Sequence, residues 1–183
     1  INPGVITIAG GHFFSNMVEY SLNNYPIDYI VKYEGEYTLL ELIQVLLNGG
    51  DVSKIKGIAF KRNGGIFQTP ARALIENLDE LPIASYELMP MGKYSPFGYL
   101  WPQSATIEHS RGCIGKCKFC SLWTLWGEHT DPNNPLDVRP RYRTKSVERS
   151  IEEVEILYKK YNRRYLLWAD PTWNVDPKWN DRF

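Results

Sequence analysis

All three cysteines of the chain fall within the stretch SRGCIGKCKFCSLW, residues 110 to 123, as Cys113, Cys117 and Cys120 in the spacing C-x3-C-x2-C. Thiols this close together cannot staple separate elements of a fold, and an odd number leaves one unpaired, so a disulfide framework is not expected. The chain must instead build an ordinary apolar core, for which its 43% of hydrophobic residues suffices. The cysteines are then left for chemistry or for a metal. Gly112 and Gly115 suit a loop wrapped closely around a bound group, because glycine tolerates positive φ and close backbone approach, although a plain turn would use them too.

Three assignments fit such a loop. Structural zinc takes four tetrahedral ligands, usually as two pairs. Only Cys117 and Cys120 form a C-x2-C pair, so zinc would need His109 or His129 to complete a Cys3His site and would give a metal-stabilised interaction module. A thioredoxin-like reading of Cys117-Lys118-Phe119-Cys120 leaves Cys113 unexplained. A cubane [4Fe–4S] cluster has four irons, each wanting a ligand besides the sulfides; three cysteines leave one iron open, and an open metal position is a substrate site. A cluster used only for electron transfer normally has a fourth protein ligand.

Charge narrows the partners, since 21 Lys+Arg balance 21 Asp+Glu and give no general attraction to nucleic acid or anionic lipid. No apolar run approaches membrane-spanning length, so no membrane span is expected. With no secretory leader pattern and a cluster of reduced thiols, a cytoplasmic location is expected.

The pattern along the chain predicts an α/β protein. VITIAGGH and IDYIVKY read as buried parallel strands with a short helix between them over residues 16–24. Thr38 and Glu41 have the spacing of a capping box, opening a helix whose apolar face is Leu39, Ile43, Leu46 and Leu47 and which stops at Asn48-Gly49-Gly50. Asn63-Gly64-Gly65 between two alternating runs predicts a β-hairpin. A segment punctuated by Pro70, Pro82, Pro90, Pro96 and Pro102 follows as a packed linker. ATIEHS is then a strand running into the cysteine loop. Ser146 caps a helix with the stripe Val147, Ile151, Val154, Tyr158 and Tyr161, and RRYLLWAD is the next strand. Strand, loop, helix, strand is one βαβ unit. The opening on INPGVITIAGG without Met and the close on DPKWNDRF, where a helix begins, suggest a piece of a longer parent.

The motif C-x3-C-x-Φ-C, with Phe119 as the aromatic, at the end of a first parallel strand resembles the radical S-adenosylmethionine superfamily. The segments IAGGHFF, IDYIVKYEGEYTLLELI, IKGIAFKRNG and LDELP, in this order, are similar to its cobalamin-domain members. The resemblance implies that Cys113, Cys117 and Cys120 ligate a [4Fe–4S] cluster whose open iron chelates the methionine moiety of S-adenosylmethionine. An electron from the cluster then cleaves the sulfonium C–S bond to give methionine and a 5′-deoxyadenosyl radical. It also implies that Phe119 lies near the adenine and that Gly10-Gly11 approaches the nucleotide tail of cobalamin. Many members carry a Gly-Gly-Glu-like turn after the second strand; here LLWADPTWN stands there, making Asp170 the candidate contact for the methionine amino group, against a plain turn aspartate ahead of Pro171. Trp168, Trp173 and Asn174 would line the wall beside it. Trp123 and Trp126 would be core or a shield for the radical, and the basic run Arg139, Arg141, Arg143, Lys145 a solvated loop or an anion contact. Where many members have Gly before EGE this chain has Tyr33, and the segment with the family's cobalamin-facing histidine is expected upstream of Ile1.

The fold expected is thus the C-terminal part of a Rossmann-like parallel sheet domain with a hairpin over residues 1–71, a Pro-rich linker over 72–103, and the first βαβ unit of a partial TIM-type radical barrel over 104–183. A closed barrel takes about 200 residues or more. The parent is therefore expected to be the enzyme, methylating an unactivated carbon or else carrying out oxidative cyclisation or ring rearrangement, with a small-molecule substrate and an external electron donor. These residues alone are expected to be inactive.

Overall fold

The computed structural model describes residues 4–93, 103–131, 134 and 136–183. Pro96 and Pro102 lie outside the described residues. In chain order the elements are β1 (Ile8–Gly10), α1 (His12–Asn16), α2 (Val18–Asn24), β2 (Tyr29–Val31), α3 (Glu36–Leu47), β3 (Ile58–Arg62), β4 (Gly65–Gln68), β5 (Ser104–Ile107) and β6 (Ser110–Gly112). They continue with α4 (Leu122–Leu125), β7 (Glu128–His129), β8 (Val138–Arg139), β9 (Tyr142–Thr144), α5 (Val147–Lys159), β10 (Tyr165–Trp168) and α6 (Pro177–Arg182). The chain forms two compact units, one of residues 1–75 and 115–140, the other of residues 76–114 and 141–183. Residues 115–140, which the sequence places with the second half, belong to the first unit.

The first unit is a four-stranded sheet in the order β1-β2-β3-β4. β1 and β2 are parallel, with Gly10 opposite Val31, and β3 and β4 add to β2 antiparallel. Alternation along β2 and β3 sends Val31, Ile58 and Phe60 to one face, with Leu42 and Ile55, and Ile30 and Ala59 to the other, with Val18 and Leu22. Both faces are covered by helices, which is why these strands read as continuous apolar runs. The hairpin forms as its sequence requires: Asn63 at φ 52 and Gly64 at φ 79 give the two left-handed positions of a type I′ turn, whose twist matches the flanking strands.

Two helix details correct the sequence reading. The capping box of Thr38 and Glu41 does not form, because α3 starts at Glu36 behind Gly35, one turn earlier. Thr38 is buried inside the helix, where its Oγ1 accepts from Arg72 Nε at 2.8 Å, and Glu41 pairs with the Arg72 guanidinium. The face turned to the core is then the one carrying Thr38 and Leu42, with Val45 and Leu46 partly buried, whereas Leu39, Ile43 and Leu47 are exposed. Leu42 is 0% and Leu47 82% exposed. Leu42→Ala should therefore cost about 3 kcal/mol, as transfer plus cavity, and Leu47→Ala less than about 0.5 kcal/mol, read from denaturant midpoints. Equal losses would contradict this assignment of faces. The stop holds, with Gly49 at φ 65 and Gly50 N–H donating to Val45 O.

In the second unit β5 pairs in parallel with β10, Ser104 opposite Tyr165 through Ile107 opposite Trp168, with α5 between them in the chain. Ser146 Oγ accepts from Arg149 N–H at 3.1 Å and caps α5 as expected. The buried stripe of α5 runs Val147, Ser150, Glu153 and Leu157, with Val154 and Tyr161 partly buried against the same core as expected, while Ile151 and Tyr158 are exposed. What moves the stripe is Glu153: its carboxylate accepts from Tyr86 Oη at 2.6 Å and from Lys145 Nζ at 2.7 Å, so a charged residue takes a core-facing place. Burial first, and then Glu153, push the Tyr86 phenol up. Tyr86 comes from the Pro-rich segment, which packs through Leu78, Leu81 and Tyr86.

Candidate functional site

The cysteine loop leaves β6 through Gly112 at φ 90, a conformation open to glycine at low cost. All three cysteines are free of disulfides; Cys113 and Cys120 are partly buried and Cys117 is exposed. Cys113 belongs to the second unit, and Cys117 and Cys120 to the first. Cys120 N–H donates to Cys117 O at 3.0 Å, closing a turn between the two, and Trp123 Nε1–H donates to the same carbonyl at 3.1 Å. Phe119 is 94% exposed, an aromatic ring left open by its surroundings. Among the described residues no group of three or more His, Cys, Asp or Glu side chains is placed to hold a metal ion. What fits a cluster is the donor chemistry, three cysteines outside any disulfide within eight consecutive positions.

Both histidines that could complete a zinc site are committed elsewhere. His129 Nε2 lies 2.9 Å from Thr124 O, and since a carbonyl only accepts, that nitrogen carries the proton. Burial holds the His129 pKa below the ordinary imidazole value. Its ring lies 4.1 Å from that of Tyr33. His109 is 1% exposed, its ring set among Trp168, Trp173 and Trp179 at 4.3 to 5.4 Å.

Asp170, just past β10, is the hinge of this second cluster. Its Oδ1 accepts from His109 N–H at 3.1 Å, from Ser110 N–H, and from Ser110 Oγ at 2.6 Å. His109 Nδ1 stands 2.7 Å from the same oxygen. Burial alone would raise the Asp170 pKa, yet the hydrogen bonds from His109 and Ser110 outweigh it and hold the carboxyl below its usual range. Its Oδ2 is buried and has no hydrogen-bond partner among the described residues. Two residues on, Thr172 Oγ1 donates to Cys113 Sγ at 3.1 Å.

In the first unit Gly10 and Gly11 stand at the C-terminal end of β1 and open into a cavity of about 400 Å³, lined also by Val31, Tyr33, Gly35 and Leu39. C-terminal strand ends are where α/β sheets bind ligands. Tyr33 sits at φ 64, a left-handed conformation costing a non-glycine residue roughly 1–2 kcal/mol. That cost is offset by its N–H donating to Ser15 Oγ at 2.9 Å and by the ring contact with His129.

Over 183 residues the chain is 36% identical to an uncharacterized methyltransferase of Pyrococcus horikoshii, an alignment covering 97% of this chain and 36% of that protein. It is 37% identical over 134 residues to the anaerobic magnesium-protoporphyrin IX monomethyl ester cyclase of a Synechocystis species, covering 71% of this chain and 26% of the cyclase. Among solved structures it matches the cobalamin-dependent S-adenosylmethionine radical enzyme OxsB with aqua-cobalamin and S-adenosylmethionine bound. That match has a TM-score of 0.67 and 25% identity, over 96% of this chain and 22% of OxsB. Along nearly its whole length the chain is thus similar to a cobalamin-dependent S-adenosylmethionine radical enzyme. No family model matches the chain. It spans about a third of the length of the P. horikoshii relative and about a quarter of the cyclase.

Tyr33, directly before Glu34, holds a positive φ that glycine adopts at lower cost. Glu34, the first acid of EGE, faces away from solvent and accepts from Ile75 N–H at 2.8 Å. The basic run is spent largely on ion pairs: Arg139 with Glu128, Arg141 with Glu76 at 2.7 Å, and Lys145 with Glu153. Sequence reasoning did not find Thr172 or the Tyr33–His129 contact. Neither has a local signature, because each pair is far apart in the chain.

Proposed function

We propose that the protein carrying this sequence is a radical S-adenosylmethionine enzyme that transfers a methyl group to an unactivated carbon with the help of cobalamin. The observation that carries this reading is a loop of three cysteines outside any disulfide at C-x3-C-x2-C that follows β5, the first strand of a parallel β5–α5–β10 unit. That unit is the start of a barrel, and the sheet of β1 to β4 is the end of a cobalamin domain. When bound, a [4Fe–4S] cluster supplies an electron for cleaving S-adenosylmethionine, and cobalamin carries the methyl group.

The chain's own residues have distinct tasks. Cys113, Cys117 and Cys120 would hold the cluster through their three thiolates. Asp170 Oδ2, a buried acceptor with no partner among the described residues, receives the ammonium of the cofactor's methionine moiety. Phe119 offers its exposed ring to the adenine, and Gly10-Gly11, having no side chains, lets the nucleotide tail of cobalamin approach the end of β1. A small-molecule substrate and an external electron donor complete the system. Among the described residues no helix is long and apolar enough to cross a membrane.

Oxidative cyclisation is the second reading, favoured by the 37% identity to the Synechocystis cyclase. Anaerobic reconstitution with iron and sulfide, followed by a strong reductant and S-adenosylmethionine, tests the shared core. Formation of 5′-deoxyadenosine is expected, and with added methylcobalamin, transfer of labelled methyl to the product separates methylation from cyclisation. A protein that takes up zinc but no iron would overturn both.

A further inference from the structure

We infer that Thr172 tunes the iron–sulfur cluster by donating a hydrogen bond from its hydroxyl to the sulfur of Cys113. The inference rests on the cluster reading above and adds to it a residue outside the cysteine motif. Thr172 Oγ1 lies 3.1 Å from Cys113 Sγ. A thiolate bound to iron has no proton to give, so in that state the hydroxyl is the donor and the sulfur the acceptor.

Thr172 is held in place independently of Cys113. Two residues before it, Asp170 binds the backbone N–H groups of His109 and Ser110 and the Ser110 hydroxyl, tying the end of β10 to the segment that leads into the cysteine loop. Ser110 Oγ also reaches Thr172 O at 3.5 Å. The hydroxyl is therefore aimed by a buried clamp. A donor fixed on a cluster sulfur stabilises the more electron-rich, reduced state and raises the reduction potential. Thr172 is thus a positioning residue that acts through Cys113.

The test is a redox titration of the anaerobically reconstituted protein, following the reduced cluster by electron paramagnetic resonance. Thr172→Val, which removes the hydroxyl and keeps the shape, should make the one-electron reduction about tenfold less favourable, a fall of about 59 mV. Thr172→Ser should restore most of it. In resonance Raman spectra the Fe–S(Cys) stretch should move up in Thr172→Val and shift in the unsubstituted protein on exchange into D2O. An unchanged potential in Thr172→Val with full iron content would overturn the inference while leaving the cluster reading intact. Should Thr172→Val hold no cluster, the unsubstituted protein decides: a stretch insensitive to D2O overturns the inference. Absence of iron from the unsubstituted protein overturns both.

Discussion

Alanine at any one of Cys113, Cys117 or Cys120 is expected to leave the anaerobically reconstituted protein without a stable cluster, dropping iron from about four per chain to near zero. The reason is stoichiometric. Three thiolates for four irons leave no spare ligand, so each loss opens a second iron to water and oxygen. His129→Ala should keep its iron, because its Nε2 is spent on Thr124 O. Iron and sulfide analysis with absorbance decides it. Full iron in any of the three cysteine variants would reject the assignment, and loss of metal in His129→Ala would point to a Cys3His site.

Asp170→Ala should destabilise the second unit by about 3–5 kcal/mol, the range for stripping one partner from a buried charged network. The substitution removes the acceptor for two backbone N–H groups and a hydroxyl, each costing about 1–3 kcal/mol when buried unpaired. Asp170→Asn keeps an acceptor oxygen and should cost less. The sign of the pH dependence follows from the lowered carboxyl pKa: above the unfolded value of about 3.9 the contribution is fully present, since the unfolded state binds the proton first. As pH falls through the lower folded value the contribution is lost. Unfolding midpoints for the unsubstituted protein and Asp170→Asn should thus converge below about pH 4. A difference that grows on acidification would show that Asp170 is not held as a carboxylate.

The same two sites mark where the sequence is readable. Cys113 to Cys120 declare themselves because their spacing is local and their residue type is rare in this chain. Asp170 could be singled out only by its place after a strand, and its three donors come from residues 60 and 61 positions away. The helix faces failed for a related reason. Leu39, Ile43 and Leu47 repeat as well as Thr38, Leu42 and Val45 do, and an apolar stripe alone does not say which side meets the sheet. Arg72, from beyond the hairpin, helps hold Thr38 inward, and Tyr86 and Lys145 hold Glu153.

The sequence by itself determined the parallel strands, the Asn63-Gly64 turn, the Ser146 cap, the Asn48-Gly49-Gly50 stop and the cysteine loop. Each depends on interactions within a few residues, where φ preference, capping geometry or ligand spacing is written in adjacent letters. Only the tertiary structure decided the core faces of α3 and α5, the left-handed Tyr33 against His129, the Asp170 clamp and the Thr172 hydroxyl on Cys113. Those depend on groups brought together across 59 positions in the case of Thr172. Chain folding, with burial that makes each unmade hydrogen bond costly, selects such pairs, and no local pattern encodes them.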